Sequence, residues 1–163
     1  MRLRLIFSIG VTSASFGIAS ADELQLPIMK DGLWQSHTQQ IIQNKKFDTA
    51  MKHCRSNELD KSMKSDGEAI RKLNKCKEVV TQQSPGNYLS EMHCDKGSLA
   101  GSVTKTTMIY KGDSSYHMEQ HMTGTSESLT IIDESYLGSC PADMKPGDVV
   151  MANGKKINLG GVP

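Results

Sequence analysis

Apolar and polar residues alternate along most of the chain, and this period of two predicts β-strands. Seven segments show it, at residues 31–43, 47–54, 76–83, 87–94, 98–110, 115–123 and 127–138. The turn signals Asn44-Lys45-Lys46, Ser84-Pro85-Gly86 and Lys111-Gly112-Asp113 separate several of them. We therefore expect a mainly β fold, in which an antiparallel meander of about seven strands forms a curved sheet or a small barrel.

The period changes to that of a helix near residues 57–73, where the apolar residues fall on one face. Those residues are Leu59, Met63, Ile70 and Leu73. Either Ser56 or Asn57 can cap the start of this segment. Because Ser65-Asp66-Gly67 interrupts the apolar stripe, one bent helix and two short helices, the second capped by Asp66, both remain open.

The end of the chain predicts a small C-terminal hairpin. Residues 147–159 form two short β-like runs on either side of Asn153-Gly154. This dipeptide favours a two-residue turn of type I′, because both positions tolerate a positive φ.

The N-terminus has the features of a secretory signal peptide, in the expected order. Arg2 and Arg4 precede an apolar run, and Ala19-Ser20-Ala21 is a small-residue cleavage site. We expect cleavage near Ala21, after residues 1–21, which leaves residues 22–163 as one domain in the periplasm or outside the cell. No later segment approaches the ~20 apolar residues that a membrane helix needs, so we expect no membrane span.

The charge of the mature chain argues against a nucleic acid as its partner. Without residues 1–21 the chain has 17 Lys and Arg against 18 Asp and Glu, a net charge of −1. A protein that binds the phosphate backbone needs a basic face.

The four cysteines, Cys54, Cys76, Cys94 and Cys140, predict disulfide bonds in an exported chain. Their spacings contain no CxxC, which argues against a zinc knuckle or a thioredoxin-type redox site. If residues 84–86 form a turn, Cys76 faces Cys94, and we favour the pairs Cys76–Cys94 and Cys54–Cys140. The alternative, Cys54–Cys76 with Cys94–Cys140, stays open because sequence alone does not settle connectivity.

The segment YHMEQHM, residues 116–122, raises the question of a metal site. In a hairpin around Gly112 the tyrosines and methionines share one face and His117 and His121 the other. The two histidines would then lie ~13 Å apart, too far to share one ion. The apolar face supplies the candidate ligand-lining residues, which are Trp34, Met108, Tyr110, Tyr116, Met118 and Met122.

Ten methionines leave a soft-metal site as the alternative. Cu(I) prefers thioether sulfur, and the candidate ligands are Met92, His93, Met118 and Met122. Methionine also fills gaps in a core with only one Trp and three Phe. Our first interpretation therefore includes no metal and no other cofactor.

The sequence contains none of the catalytic motifs GxSxG, HExxH or a phosphate-binding loop. Asp133 and Glu134 are adjacent on a predicted strand and point to opposite faces, so they do not form an acid and base pair. His37 and His53 lie on facing strands and are within reach of Asp48. We expect a protein that is not an enzyme.

Several motifs together resemble one bacterial exported family. They are GLW at residues 32–34, the four spaced cysteines, YKGDSSY at 110–116 and YLGSCPADMKPGDVV at 136–150. On these residues the chain resembles the family called domain of unknown function number 3617, over roughly residues 29–159, with LGxCPxxMKPGD as the most specific part. The resemblance implies export, a methionine-rich single domain and the cysteine set, and it supplies no reaction, ligand or catalytic residue.

These patterns predict an exported, non-enzymatic binding or interaction module. Its apolar face would bind a small apolar molecule, such as a lipid fragment, or a protein of the cell envelope. A periplasmic copper-binding protein is the alternative. A cavity of several hundred Å³ inside the fold would favour the small ligand, and a filled core would favour a partner at the surface.

Overall fold

The computed structural model describes residues 24, 26–124 and 126–159 of the chain. The predicted signal peptide lies outside the described residues. The elements are β1 (Gly32–Ile42), β2 (Lys45–Arg55), α1 (Asn57–Leu73), β3 (Cys76–Ser84), β4 (Asn87–Cys94), a 3₁₀ turn (Gly97–Leu99), β5 (Val103–Lys111), β6 (Ser115–Thr123), β7 (Ser128–Gly138), β8 (Asp148–Met151) and β9 (Lys156–Asn158). No helix in this part of the chain is long and apolar enough to cross a membrane.

The nine strands form one antiparallel sheet in the order β3-β4-β5-β6-β7-β1-β2-β8-β9. The meander of β3 to β7 continues into the N-terminal hairpin because β7 pairs with β1. Closing seven strands into a barrel would require β3 to pair with β2, and β8 occupies that side of β2. The predicted mainly β, antiparallel fold is confirmed, as an open sheet of seven long strands extended by the C-terminal hairpin.

Strand register decides which side chains share a face of the sheet. Met108 lies opposite Met118 and Tyr110 opposite Tyr116, as the hairpin around Gly112 predicts. We call the face that carries them the inner face and the opposite one the outer face. Every tyrosine, the only tryptophan and every methionine within a strand lies on the inner face, namely Trp34, Met51, Tyr88, Met92, Met108, Tyr110, Tyr116, Met118, Met122, Tyr136 and Met151.

The helical segment is a single helix of 17 residues. Ser56 is its N-cap, and the Ser56 hydroxyl accepts a hydrogen bond from the Leu59 backbone N–H at 3.2 Å. Gly67 does not divide it, because one interior glycine costs a helix only about 1 kcal/mol relative to alanine. The interpretation with a second cap at Asp66 is therefore wrong.

Helix α1 crosses the sheet on its inner side. It connects β2 to β3, which are six strand spacings apart, or ~29 Å, and its 17 residues span ~25 Å. At one end Arg55 Nε lies 2.7 Å from Asp60 Oδ2, and at the other Arg71 Nε lies 3.5 Å from Glu78 Oε2. Since Arg55 and Glu78 are inner-face residues, both ion pairs attach the helix to that face.

Two disulfides tie down the ends of this crossover. Cys76 bonds to Cys94, its direct partner in the register of β3 and β4, and Cys54 bonds to Cys140. This is the pairing that the sequence favoured. One bridge lies just before α1 and the other just after it, so the helix is anchored at both ends.

Two turns differ from their predictions. The first hairpin turns at Gln43-Asn44, rather than at residues 44–46, and both residues have a positive φ (49° and 64°), as a type I′ turn requires. In the C-terminal hairpin only Gly154 has a positive φ (80°). Met151 there pairs with Lys155, which makes a three-residue loop, and the predicted type I′ turn is wrong.

Candidate functional site

A row of aromatic side chains crosses the inner face. The ring centroids of Tyr88 and Tyr110 are 5.7 Å apart, and those of Tyr110 and Tyr116 are 5.6 Å apart. Trp34 and Tyr136 pair edge to face at 5.7 Å. Burial raises the pKa of the Tyr110 and Tyr116 hydroxyls, and the neighbouring Glu134 adds to the effect at Tyr116. Both phenols are therefore neutral.

Arg55 joins the two parts of this aromatic row. Its guanidinium carbon lies 5.4 Å from the Trp34 ring centroid and 5.9 Å from that of Tyr116, within the range of cation–π attraction. Burial alone would lower the pKa of Arg55, but the hydrogen bond and charge of Asp60, with Tyr116 and Glu134, raise it. Arg55 is thus a fixed positive charge among aromatic rings.

The GLW motif places Trp34 in the row. A Cβ atom on Gly32 would lie 2.3 Å from the carbonyl oxygen of Gly138, and the φ of Gly32 is 140°, so only glycine fits. The register of β1 and β7 shifts between Leu33 and Trp34, an irregularity of the kind that re-aims a side chain. Trp34 is fully buried, and its indole N–H donates to the Lys30 carbonyl at 2.9 Å.

Glu134 places a buried carboxylate beside this arginine. Its side chain is 10% exposed, and Oε2 makes no hydrogen bond within the described part of the chain. The nearest basic nitrogens are His53 Nε2 at 3.6 Å and Arg55 Nη1 at 3.8 Å. Burial raises the pKa of Glu134, although Arg55, Ser36 and Tyr116 favour the ionised form. An unsatisfied buried oxygen is uncommon in native proteins and calls for an explanation.

His53 completes this group of side chains. It lies opposite Trp34 in the sheet, and burial, followed by the charge of Arg55, lowers its pKa, so the ring is neutral near pH 7. The prediction that His53 approaches Asp48 is wrong, because Asp48 points to the outer face and pairs with Lys46 at 3.6 Å. We call Ser36, His53, Arg55, Asp60, Tyr116 and Glu134 the buried polar cluster.

The outer face carries the other strand histidines, mostly paired with surface acids. His117 Nδ1 lies 2.7 Å from Asp133 Oδ1, and this hydrogen bond raises the pKa of His117. His121 pairs with Glu127 at 3.5 Å, so the two histidines of YHMEQHM have different partners. Among the described residues no group of three or more His, Cys, Asp or Glu side chains could hold a metal ion.

All six candidate ligand-lining residues lie on the inner face. Trp34 and Met108 are buried, and the other four are half-buried. The ligands of the copper alternative do not converge. Met92 is an inner-face residue, whereas its neighbour His93 points to the outer face and pairs with Glu91 at 2.7 Å.

Beyond the aromatic row, apolar side chains remain exposed at the β1–β2 turn and on α1. Near the β1–β2 turn Phe47 is 51% exposed, and on α1 Met63, Ile70 and Leu73 are 57%, 54% and 79% exposed. The helix is attached to the sheet by Asp60 and Arg71 instead, so its apolar stripe does not pack on the strands. We call these side chains the open apolar surface; they form two separate groups, Phe47 with the 36% exposed Ile42 at the β1–β2 turn, and Met63, Ile70 and Leu73 along α1.

Two shallow depressions lie elsewhere. One, of about 320 Å³, follows the seam between β2 and β8 and is lined by Ala50, Met51 and Met151 among others. The second, of about 290 Å³, lies on the outer face of β3 and β4 around Val79 and Leu89. Both open to solvent, and neither includes a residue of the aromatic row or the buried polar cluster. By the cavity criterion stated above, the open shape of both depressions favours a partner at the surface, and a ligand on the inner side would lie against the sheet rather than inside either depression.

Sequence reasoning missed the buried polar cluster. It separated Asp133 from Glu134 correctly by face, and the register confirms this, since Asp133 lies opposite His117 and Glu134 opposite Tyr116. Ile131 and Ile132 are both apolar, so alternation alone does not say which of them is on the inner face, and only the register, in which Ile132 faces Met118, places Glu134 there.

Comparison with known families gives one match. The family described as "Protein of unknown function (DUF3617)" matches residues 29–140, more than half of the chain. The match ends at Cys140, so the expected extension to residue 159, which includes the MKPGD segment, lies beyond it and stays a prediction. No curated protein and no solved structure matches the chain.

Proposed function

This chain belongs to the DUF3617 family of proteins of unknown function, and we propose that it is an exported, non-enzymatic module that binds a small molecule with an apolar body. The ligand would lie on the inner side of the sheet, against the open apolar surface and the aromatic row. The observation that carries the proposal is that α1 crosses the inner face and still leaves Phe47, Met63, Ile70 and Leu73 exposed. Exposed apolar patches on soluble domains mark ligand or partner sites.

Two features support export to an oxidising compartment. The four cysteines form two disulfides, and such bonds persist outside the reducing cytosol. The first 21 residues have the sequence features of a cleaved signal peptide. We propose the periplasm or the exterior of the cell as the location.

The chemistry of the inner face favours a small molecule over catalysis. Small-molecule sites are lined mainly by apolar and aromatic side chains with a few placed polar groups, which describes the aromatic row and the buried polar cluster. The charged groups of that cluster contact one another, as in the 2.7 Å pair of Arg55 and Asp60. Because His93 points away from Met92, Met118 and Met122, we do not propose the copper alternative.

Binding of an uncharged apolar fluorophore, N-phenyl-1-naphthylamine, tests this function. Trp34 is the only tryptophan and lies on the inner face, so energy transfer from Trp34 to the bound probe reports occupancy there. We expect saturable transfer from the mature protein and displacement of the probe by n-dodecanol.

Two adjacent isoleucines on β7 provide a matched control. Ile132 is on the inner face opposite Met118, and Ile131 is on the outer face opposite Glu119. Ile132→Asn should weaken probe binding about fivefold, the equivalent of ~1 kcal/mol, and Ile131→Asn should leave it unchanged, with circular dichroism verifying that both variants fold. Equal weakening of probe binding by the two variants, or no saturable binding by the parent protein, would contradict the proposal. The open apolar surface would then be better explained as a contact site for a protein of the cell envelope.

A further inference from the structure

On the basis of the function proposed above, we propose that the ligand ends in a hydrogen-bond donor, an amine or a hydroxyl, that binds the carboxylate of Glu134. The inference therefore assigns a head group to the ligand. It distinguishes amphipathic amines and alcohols from fatty acids, which would present a carboxylate at the same place.

The first argument is the unmet hydrogen-bonding demand of Glu134. Oε2 is buried and has no hydrogen-bond partner among the described residues. The basic nitrogens of His53 and Arg55 are 3.6 and 3.8 Å away, beyond hydrogen-bonding distance. Hydrogen bonds from the Ser36 and Tyr116 hydroxyls lower the pKa of Glu134 but leave Oε2 without a partner. The free energy penalty of a buried acceptor left without a donor is relieved when a ligand supplies one.

The second argument is the charge of the cluster. Arg55 is the one permanent cation of the buried polar cluster, and Asp60 already holds its Nε at 2.7 Å. Glu134 adds a second carboxylate against that single cation, so an anionic head group would meet repulsion. A donor that is neutral or positive avoids this, and a positive one also gains attraction to the faces of Trp34 and Tyr116.

The third argument concerns access. His53 Nε2 lies 3.6 Å from Oε2, and the His53 side chain is 20% exposed. Burial and Arg55 lower the pKa of His53, so the ring is neutral. The ring makes no hydrogen bond to Oε2 at 3.6 Å, so a donor from the ligand would not have to displace one. The path to the carboxylate therefore begins at His53.

Three n-dodecyl compounds test the inference by displacing N-phenyl-1-naphthylamine below their micellar concentrations. We expect dodecylamine and dodecanol to bind the parent protein about tenfold more tightly than dodecanoate. Glu134→Gln should weaken dodecylamine about tenfold, weaken dodecanol less because an amide oxygen still accepts, and spare dodecanoate. Asp133→Asn, the adjacent carboxylate on the outer face, is the matched control and should leave all three affinities unchanged.

Glu134→Asp serves as the second variant if Glu134→Gln folds poorly. This variant keeps the negative charge but shortens the side chain by one methylene. It should weaken the binding of dodecylamine more than that of dodecanoate, as Glu134→Gln does. Tightest binding of dodecanoate, or equal loss in the Glu134 and Asp133 variants, overturns the head-group inference while the proposed function stands. If none of the three compounds displaces the probe, the proposed function fails and the inference fails with it.

Discussion

Two adjacent carboxylates on β7 each lie beside a histidine, one on each face of the sheet, and the two pairs behave in opposite ways. On the outer face Asp133 and His117 are 2.7 Å apart, and their hydrogen bond raises the pKa of the imidazole. On the inner face Glu134 and His53 are 3.6 Å apart, and burial, more than the charge of Arg55, lowers the pKa of the imidazole. The two carboxylates are consecutive residues, so the face of the strand sets the chemistry of each pair.

The difference lies in the water available to each face. The Asp133 side chain is 59% exposed and that of Glu134 is 10% exposed. An exposed pair forms a good hydrogen bond but adds little stability, because water screens it. A buried group depends on protein partners for its hydrogen bonds, and Oε2 of Glu134 lacks one within the described residues. The outer pair therefore needs no further hydrogen-bond partner. The inner pair has a buried carboxylate oxygen that can still accept a hydrogen bond.

Removing either disulfide is expected to give the largest loss of stability among these predictions, and the two bridges lie on opposite faces of the sheet. Cys54 lies opposite Leu33 on the outer face, and the bridge Cys76–Cys94 lies on the inner face. Their sequence separations are 86 and 18 residues, and chain entropy then predicts losses of about 4.6 and 3.2 kcal/mol when each pair is changed to alanine. Urea unfolding measures both values, and a larger loss for Cys76 and Cys94 would mean that inner-face packing outweighs loop length.

Arg55→Gln should have the next largest effect. It leaves Asp60 and Glu134 without their shared cation in a partly buried site, and we expect a loss of about 3 kcal/mol in the free energy of unfolding. On the outer face Lys105 pairs with Glu91 at 3.4 Å, and the Lys105 side chain is 61% exposed. Lys105→Gln should therefore lose far less stability than Arg55→Gln, because water screens this exposed pair. Similar losses in the two variants would remove the distinction between the faces.

The smallest expected effect is on the pH dependence of stability, to which His53 and His117 contribute with opposite signs. The pKa of His53 is below 6.5 in the folded state, so its contribution to stability is present above pH 6.5 and is lost as the pH falls through the folded pKa. The pKa of His117 is raised above 6.5, so its contribution is present below pH 6.5 and is lost as the pH rises through the folded pKa.

Replacement of each histidine by glutamine checks these signs. From about pH 8 to about pH 5, His53→Gln should lose less stability than the parent, and His117→Gln should lose more, by under ~1 kcal/mol for this exposed pair. Thermal unfolding at a series of pH values measures the difference. Changes of the same sign in both variants would show that the face of β7 does not control protonation.

Much of the local structure could be predicted from the sequence, because turns fix the register of adjacent strands. Gly112 is enough to bring Tyr110 and Tyr116 together. Cys76 lies opposite Cys94, as a loop at residues 84–86 predicts, but through a two-residue turn combined with a register shift between Gln82 and Ser84. The pairing of β7 with β1 and of β2 with β8 joins segments far apart in the chain. No local pattern specifies such contacts.

The buried polar cluster could not be predicted for the same reason. Its residues come from β1, β2, α1, β6 and β7, so their proximity depends on the strand order. Sequence reasoning assigned the correct face to every member of the YHMEQHM segment, but it gave His53 the wrong partner. For this sheet, the face on which a residue lies is thus easier to predict from the sequence than its neighbours on strands that are not consecutive in the chain.

Methyl NMR during a titration with n-dodecanol tests most directly whether the inner side of the sheet is the binding surface. Met118 and Met122 report on the inner face, Met63 on α1, and Leu89 and Ile109 on the outer face. We predict saturable chemical-shift changes at the three methionines and none at Leu89 or Ile109. Changes confined to the outer-face methyl groups, or their absence at the three methionines, would contradict the account.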